Sequence, residues 1–352
     1  MTTLDFLTEA THLRASDLFI VSGRPLSYKT GGRICTFSEE KVMPRETEEL
    51  IRGIYRLADN RDIRSFQETG DDDFSFAIPG LSRFRVSTYM QRGSMAAVIR
   101  VITFQLPDPA DLHIPDSILS LAELSKGLVL VTGSAGSGKS TTLACLIDRI
   151  NSTQEKHIIT LEDPLEFLHR HKRSIVSQRE ISSDTASYQV ALRSSLRQSP
   201  DVILLGEMRD LETISTAMTA AETGHLVFST LHTSGAANTI DRIIDVFPPA
   251  QQHQIAVQLS SVLQAVVSQQ LVPTADRSSL VPAFEFMSVT PAIRNMIREN
   301  KIHQIDGIIY SSAQDTMFSN DSSLLELCRL GMIRPEDAVA HASNPEMLKR
   351  KL

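Results

Sequence analysis

A chain of 352 residues is long enough to hold two domains, each able to bury its own core. Its net charge of −7 gives no overall attraction to nucleic acid or to an anionic membrane, although a local basic patch stays open. Three scattered cysteines, Cys35, Cys145 and Cys328, lack metal-ligand spacing and suit a reducing compartment, so the cytoplasm is expected. No run approaches the ~20 apolar residues needed to span a bilayer, and the first residues lack a basic, then apolar, leader pattern. Any membrane role is therefore expected to come through a partner.

Residues 1–102 read as an α+β unit. An amphipathic helix carries Phe6, Leu7, Ala10 and Leu13; a strand follows over Ser16–Val21, with a turn at Gly23-Arg24-Pro25. Gly31-Gly32 marks a turn before another short strand, and a helix is expected around Arg45–Ala58. Strands over Phe74–Ile78, Phe84–Met90 and Ala96–Ile102 complete one antiparallel sheet with helices on a face. Arg83, Arg85, Arg92 and Arg100 crowd this region. Surface arginines flanking strands are ordinary, but alternation puts Arg83 and Arg85 on one strand face, as a pair able to meet an anion.

Three prolines between 103 and 116 make a stiff linker, which separates the first domain from a larger one over 117–352. After a short helix at Asp116–Leu124, the apolar run Gly127–Thr132 reads as a buried parallel strand feeding Gly133-Ser134-Ala135-Gly136-Ser137-Gly138-Lys139-Ser140 and a helix from Thr141 to Ile150. This is a phosphate-binding loop in its required context. Glycines let backbone N–H groups turn inward, the helix adds its positive N-terminus, Lys139 reaches β/γ oxygens, and the Ser140 hydroxyl can hold Mg²⁺.

Downstream, His157–Leu161 is an apolar strand ending in Glu162-Asp163-Pro164, at the strand end where open α/β sheets bind ligands. A helix over Tyr188–Leu196 starts a face that Arg193 and Arg197 share. Val202–Leu205 ends in Gly206-Glu207, a second-carboxylate strand of the kind nucleotide hydrolases pair with a phosphate loop, with Gly206 in a slot often held by Asp. Thr213–Thr223 is a helix closed by Gly224, and the strand between His225 and His232 leaves His232 where a γ-phosphate sensor would be useful. Helices are expected at Asn238–Val246 and, as one long element, at Gln251–Leu271. The remaining chain reads as mainly helical, at Pro291–Glu299, Leu324–Leu330, Pro335–Ala342 and Glu346–Leu352, with a polar loop over Ser311–Ser323.

Four stretches in this order resemble the bacterial secretion ATPases of type II secretion and type IV pilus systems. They are the phosphate loop, the acidic box Ile159–Phe167, the second-carboxylate segment Asp201–Asp210 and the histidine box Glu222–Thr233. Ala292–Glu299 is similar to the A-I-R-N-L-I-R-E signature of the pilus-retraction, PilT-like branch, with Met296 in place of Leu. Gln198-Ser199 departs from the usual Glu-Asp. The resemblance implies an α/β, RecA-like P-loop ATPase domain preceded by a smaller α+β, PAS-like N-terminal domain, assembled as a homohexamer with nucleotide between the domains. It also implies that Arg85 and Arg100 reach that nucleotide.

Under that resemblance, Gly133 to Ser140 and Thr141 bind the phosphates of ATP. Ser140 and, through water, Glu207 hold Mg²⁺; Glu162 orients or deprotonates the attacking water; His232 senses the γ-phosphate; Arg85 and Arg100 neutralise charge. The two glutamates could exchange roles. The expected output is type IV pilus retraction through an inner-membrane platform protein, at the inner face of the cytoplasmic membrane, with no direct nucleic-acid contact and with membrane association through partners only. Closure between domains about the proline linker would drive it, and Glu285–Asp306 would supply a coupling surface. Pilus extension or secretion, a nucleic-acid translocase and a non-hydrolysing scaffold stay as alternatives.

Overall fold

Two separate sheets organise the chain in the computed structural model, which describes residues 2–30, 33–102, 106–312 and 317–352. Contacts divide it into two units, 1–106 with 165–168 and 107–164 with 169–352. The expected Gly31-Gly32 turn, the first linker residues 103–105 and the loop residues 313–316 lie outside the described residues.

The first unit contains α1 (Thr3–His12), β1 (Asp17–Ile20), β2 (Pro25–Thr30), β3 (Arg33–Lys41), α2 (Pro44–Leu57), α3 (Arg64–Thr69), β4 (Asp71–Ile78), β5 (Ser82–Gln91) and β6 (Ser94–Ile102). Its six strands run in the order β3-β2-β1-β6-β5-β4, antiparallel throughout. Helix α1 starts on a capping box, in which the Asp5 N–H donates to Thr2 Oγ1 at 3.2 Å and the Thr2 N–H donates to Asp5 Oδ2 at 3.1 Å. Alternation along β5 buries Phe84 and Val86 with Phe6, Ile51, Ile54 and Ile99, and leaves Arg83 and Arg85 on the opposite face. The β5–β6 hairpin closes on Arg92-Gly93, both at positive φ (49° and 74°), so Arg92 serves the turn.

The second unit begins with α4 (Asp116–Leu119) and a 3₁₀ turn (Ser120–Glu123). It continues through β7 (Gly127–Thr132), α5 (Lys139–Thr153), β8 (His157–Glu162), β9 (Ile175–Glu180), α6 (Tyr188–Ser195), β10 (Val202–Leu205), α7 (Leu211–Glu222), β11 (Leu226–Leu231) and α8 (Ala236–Asp245). The chain ends with α9 (Pro249–Val262), β12 (Leu263–Pro273), β13 (Leu280–Ser288), α10 (Pro291–Arg298), α11 (Ile305–Ser311), α12 (Asn320–Arg329), α13 (Pro335–Ala340) and α14 (Pro345–Lys349). The strand order is β13-β12-β7-β11-β10-β8-β9, parallel except for β13.

Both sheet faces are covered, so β7, β10 and β11 are buried at every residue, Thr132, Ser229 and Thr230 included. Leu128, Leu130, Ile159 and Leu161 point into a core shared with α7, α8, α9 and α10, whereas Val129, Val131 and Ile158 pack on α5 through Leu143, Leu146 and Ile150. Among the described residues no helix is long and apolar enough to cross a membrane.

One expected element is corrected. The long helix over Gln251–Leu271 stops at Val262, and the chain turns extended at Leu263 (φ −64°, ψ 127°) to become β12, beside the phosphate-loop strand. No Gly or Pro marks this switch. The β-branched pair Val266-Val267 is fully buried between β7 and β13, and pairing on both sides outweighs the helix-like continuity of the sequence. Strands β2, β9 and β13 and helices α3 and α11 also appear where no element was expected.

Candidate active site

The parallel registers bring the C-terminal ends of β7, β11, β10 and β8 to one edge of the sheet. The phosphate loop leaves β7 there. Its glycines Gly133, Gly136 and Gly138 all take positive φ (143°, 77° and 89°), a conformation L side chains resist. Ser134, Ala135 and Gly136 form an exposed apex, while Ser137 and Lys139 are buried. The Lys139 ammonium donates to the Gly133 and Ser134 carbonyls at 2.9 and 2.8 Å, so it lies across the mouth of the loop. Among the described residues the buried Ser137 Oγ has no hydrogen-bond partner. An orphaned hydroxyl inside a glycine cradle fits an anion with strong acceptor oxygens. Ser140 and Thr141 occupy the first turn of α5, both half-buried.

Carboxylates gather on the other side of the same edge. Glu162 is the last residue of β8, and Glu207 lies two residues beyond the end of β10, after Gly206. Glu207 has only 13% of its side chain exposed and is held from two directions: Arg209 Nε lies 2.6 Å from Oε1, and His232 Nε2 lies 3.5 Å from Oε2. His232 follows β11, the neighbour of both β7 and β10, so it stands between the loop strand and the Glu207 strand. His225, at the other end of β11, points its Nδ1 to the Ala220 carbonyl at 2.9 Å and serves the α7 terminus.

A further residue enters this group. A Cβ at Gly206 would stand 2.7 Å from Tyr188 Oη, 3.3 Å from the Leu161 carbonyl and 3.4 Å from Glu162 Cα. The phenol tip therefore occupies the space that a side chain at position 206 would need. This explains glycine in a slot where Asp is common. Burial, then the charges of Glu207, Asp163 and Glu162, push the Tyr188 hydroxyl above its ordinary range, so it stays protonated and neutral beside those carboxylates. Nothing in the sequence pattern separates Tyr188 from an ordinary first residue of a helix.

Arg85 and Arg100 form their own pair in the first unit, directly opposite each other across β5 and β6. Arg100 Nε also lies 3.2 Å from Asp17 Oδ1 on β1. Like charges in register are costly unless countered, and Asp17 supplies part of that counter-charge. Arg193 is paired with Glu212, and Arg197 donates to the Arg193 carbonyl at 3.4 Å, which accounts for both without a ligand.

No cluster of three or more His, Cys, Asp or Glu able to hold a metal occurs among the described residues. The donor set at the loop is one serine hydroxyl with a carboxylate on a nearby strand end. That set fits Mg²⁺, which keeps most of its waters and takes phosphate oxygens, and does not need an all-protein cage.

A glycine cradle with lysine and serine beside acidic strand ends defines a P-loop ATPase. The family model described as "Type II/IV secretion system protein" matches residues 3–327. The chain belongs to that family. It is 46% identical over 301 residues to a twitching motility protein of Neisseria gonorrhoeae, covering 86% of this chain and 80% of the relative. It is 43% identical to the type IV pilus retraction ATPase PilT of Pseudomonas aeruginosa, covering 94% and 95% of the two chains. A crystal structure of the pilus retraction motor PilT with bound ADP superposes with a TM-score of 0.89 at 43% identity, covering 99% of each chain. The DotB ATPase of Legionella pneumophila follows at 0.78 and 28% identity, with 97% of each chain covered.

Proposed function

We propose that this chain hydrolyses ATP to retract type IV pili. The observation that carries the reading is the meeting of the phosphate loop, Glu162, Glu207 and His232 at one sheet edge, in a chain similar end to end to a pilus retraction motor. Phosphoryl transfer asks a protein mainly to position groups and to stabilise developing charge.

The loop backbone, Ser137 and Lys139 grip the β- and γ-phosphates. Ser140 would hold Mg²⁺ directly and Glu207 through water, and the bound ion would neutralise phosphate charge. Arg209 and His232 fix the orientation of Glu207, which suits a second-sphere role, and leave the attacking water to Glu162. Tyr188 holds the space between those two glutamates. His232 reports the γ-phosphate, and Arg85 with Arg100 neutralises charge when nucleotide is enclosed.

In this proposal residues 1–102 are a PAS-like domain, 103–116 a linker and 117–352 the ATPase domain. Six copies form a ring at the inner face of the cytoplasmic membrane and act through a pilus platform protein there. The Glu285–Asp306 stretch offers less surface for that coupling than its composition suggests. Glu285 is largely buried and accepts the Ala236 N–H at 2.7 Å, and Ile293 and Ile297 are fully buried. Arg294 donates to the Ser260 and Ser261 carbonyls at 2.6 and 2.9 Å, capping the C-terminus of α9. The outer residues of α10, such as Asn295 and Arg298, are left as the coupling face.

Deletion of the gene from its host tests the reading. Cells are expected to keep surface pili and to lose twitching movement, and substituting Asn295 and Arg298 together should reproduce that phenotype with ATP hydrolysis retained. Loss of the pili themselves would contradict a retraction role.

A further inference from the structure

A loop built around three glycines does not select its own shape, because glycine leaves many backbone conformations open. Something outside the loop has to hold it in the form that receives phosphates. β12 lies alongside β7 in parallel register, with Ser268 opposite Thr132, which brings Gln269 beside the start of the loop.

Three contacts converge on that one residue. A Cβ on Gly133 would overlap the Gln269 carbonyl oxygen, so the main chain of β12 passes directly against the first loop residue. A Cβ on Gly138 would stand 2.7 Å from Gln269 Nε2, so the side-chain amide lies against the last glycine. At its other end the amide oxygen accepts a hydrogen bond of 2.7 Å from Thr142 Oγ1, in the first turn of α5. Gln269 is 5% exposed, and the bond to Thr142 is buried. One residue thus touches the beginning of the loop, its end and the helix that follows.

We propose that Gln269 is a positioning residue that braces the phosphate loop in its phosphate-receiving shape. The inference rests on the reading of this loop as the nucleotide site. Its neighbour Gln270 provides an internal contrast, because alternation turns it to the opposite face of β12. There its Nε2 donates to Asn320 Oδ1 at 2.7 Å and to the His341 carbonyl at 2.9 Å, holding the C-terminal helices. Two adjacent glutamines on one strand, equal in chemistry, therefore serve different regions.

The test compares wild type with Lys139→Ala, Gln269→Leu, Thr142→Val, the Gln269→Leu/Thr142→Val double variant and Gln270→Leu in the full chain. Steady-state ATP hydrolysis, affinity for a fluorescent ADP analogue and the thermal midpoint are measured for each. Gln269→Leu is expected to raise KM and the ADP dissociation constant about tenfold, with kcat changed by less than about threefold, because the loop grips phosphates in ground and transition state alike. Thr142→Val should show part of that loss, and the double variant no more than Gln269→Leu alone. Gln270→Leu should lower the midpoint and keep KM.

A wild-type KM in Gln269→Leu, additive losses in the double variant, or an equal rise in KM from Gln270→Leu would each overturn the proposal. If Gln269→Leu does not fold, Thr142→Val decides: a raised KM at an unchanged midpoint supports the brace, and an unchanged KM ends it. Lys139→Ala separates the two levels of the argument. If it binds ADP as wild type does, the loop is not the nucleotide site; if it loses binding while Gln269→Leu keeps it, only the brace is wrong.

Discussion

β12 and β8 support the same sheet edge from opposite sides and by opposite means. On the β12 side the contacts are neutral: a carbonyl against Gly133, an amide against Gly138 and a bond to Thr142. On the side of β8 and β10 charged groups crowd together, with Glu207 between Arg209 and His232, and the Tyr188 hydroxyl among Glu162, Asp163 and Glu207. In the proposed mechanism the neutral contacts shape the loop that grips phosphates together with Lys139, whereas charge placed at the strand ends acts on the reaction itself. The two sides should therefore fail separately, one in affinity and the other in turnover.

Gly206→Ala breaks the charged side through packing, without removing a charge. The added methyl must displace the Tyr188 phenol, with little room toward Leu161 and Glu162. Overpacking of this kind costs about 1–3 kcal/mol, and displacing the neutral phenol from between the carboxylates should cut kcat about tenfold with ADP affinity retained. Adding Tyr188→Phe to Gly206→Ala removes the atom nearest the clash, so chemical denaturation should show stability recovering while kcat stays low. Equal stability of Gly206→Ala and wild type would mean that the phenol does not fill that space.

A smaller effect comes from outside the site and has to be separated from it. His169 is buried, and burial lowers its pKa to about 4, with Asp148 and Lys172 as opposing lesser influences. An unfolded chain binds a proton at this residue near pH 6.5, and the folded chain refuses it until about 4. Stability is thus full above the unfolded value and falls as pH drops through that window, by about 2 kcal/mol between pH 7 and pH 5. Glu285, raised chiefly by burial, works in the other direction, since the folded chain takes its proton first. Unfolding of His169→Gln across this range should show a flatter pH dependence. An unchanged slope would remove His169 as the cause.

Most of this edge is legible in the sequence because its strands end abruptly. β7 stops at a glycine loop, β8 at an acidic pair before Pro164, and β10 at Gly206-Glu207, so apolar runs and their chemical ends coincide. β12 carries no such punctuation. It continues α9 without Gly or Pro, and its strand character depends on having β7 and β13 as neighbours, which a local pattern cannot supply. Gln269 was hidden with it. A closer signal existed, since polar Ser268, Gln269 and Gln270 interrupt an apolar β-branched run, and buried polar groups need partners. Tyr188 could not be found the same way: its role comes from the missing side chain at Gly206, across the gap between α6 and β10. The pairing of Arg85 with Arg100 was equally invisible, because register between strands decides it.

Glu162→Gln tests the central claim most directly. The substitution keeps size, turns one acceptor oxygen into an amide donor and removes the negative charge assigned to the attacking water. ATP binding should stay within about threefold of wild type, while phosphate release in a single turnover falls by about 10²–10³. Phosphate release at the wild-type rate, with binding intact, would contradict the assignment and move the catalytic carboxylate to Glu207.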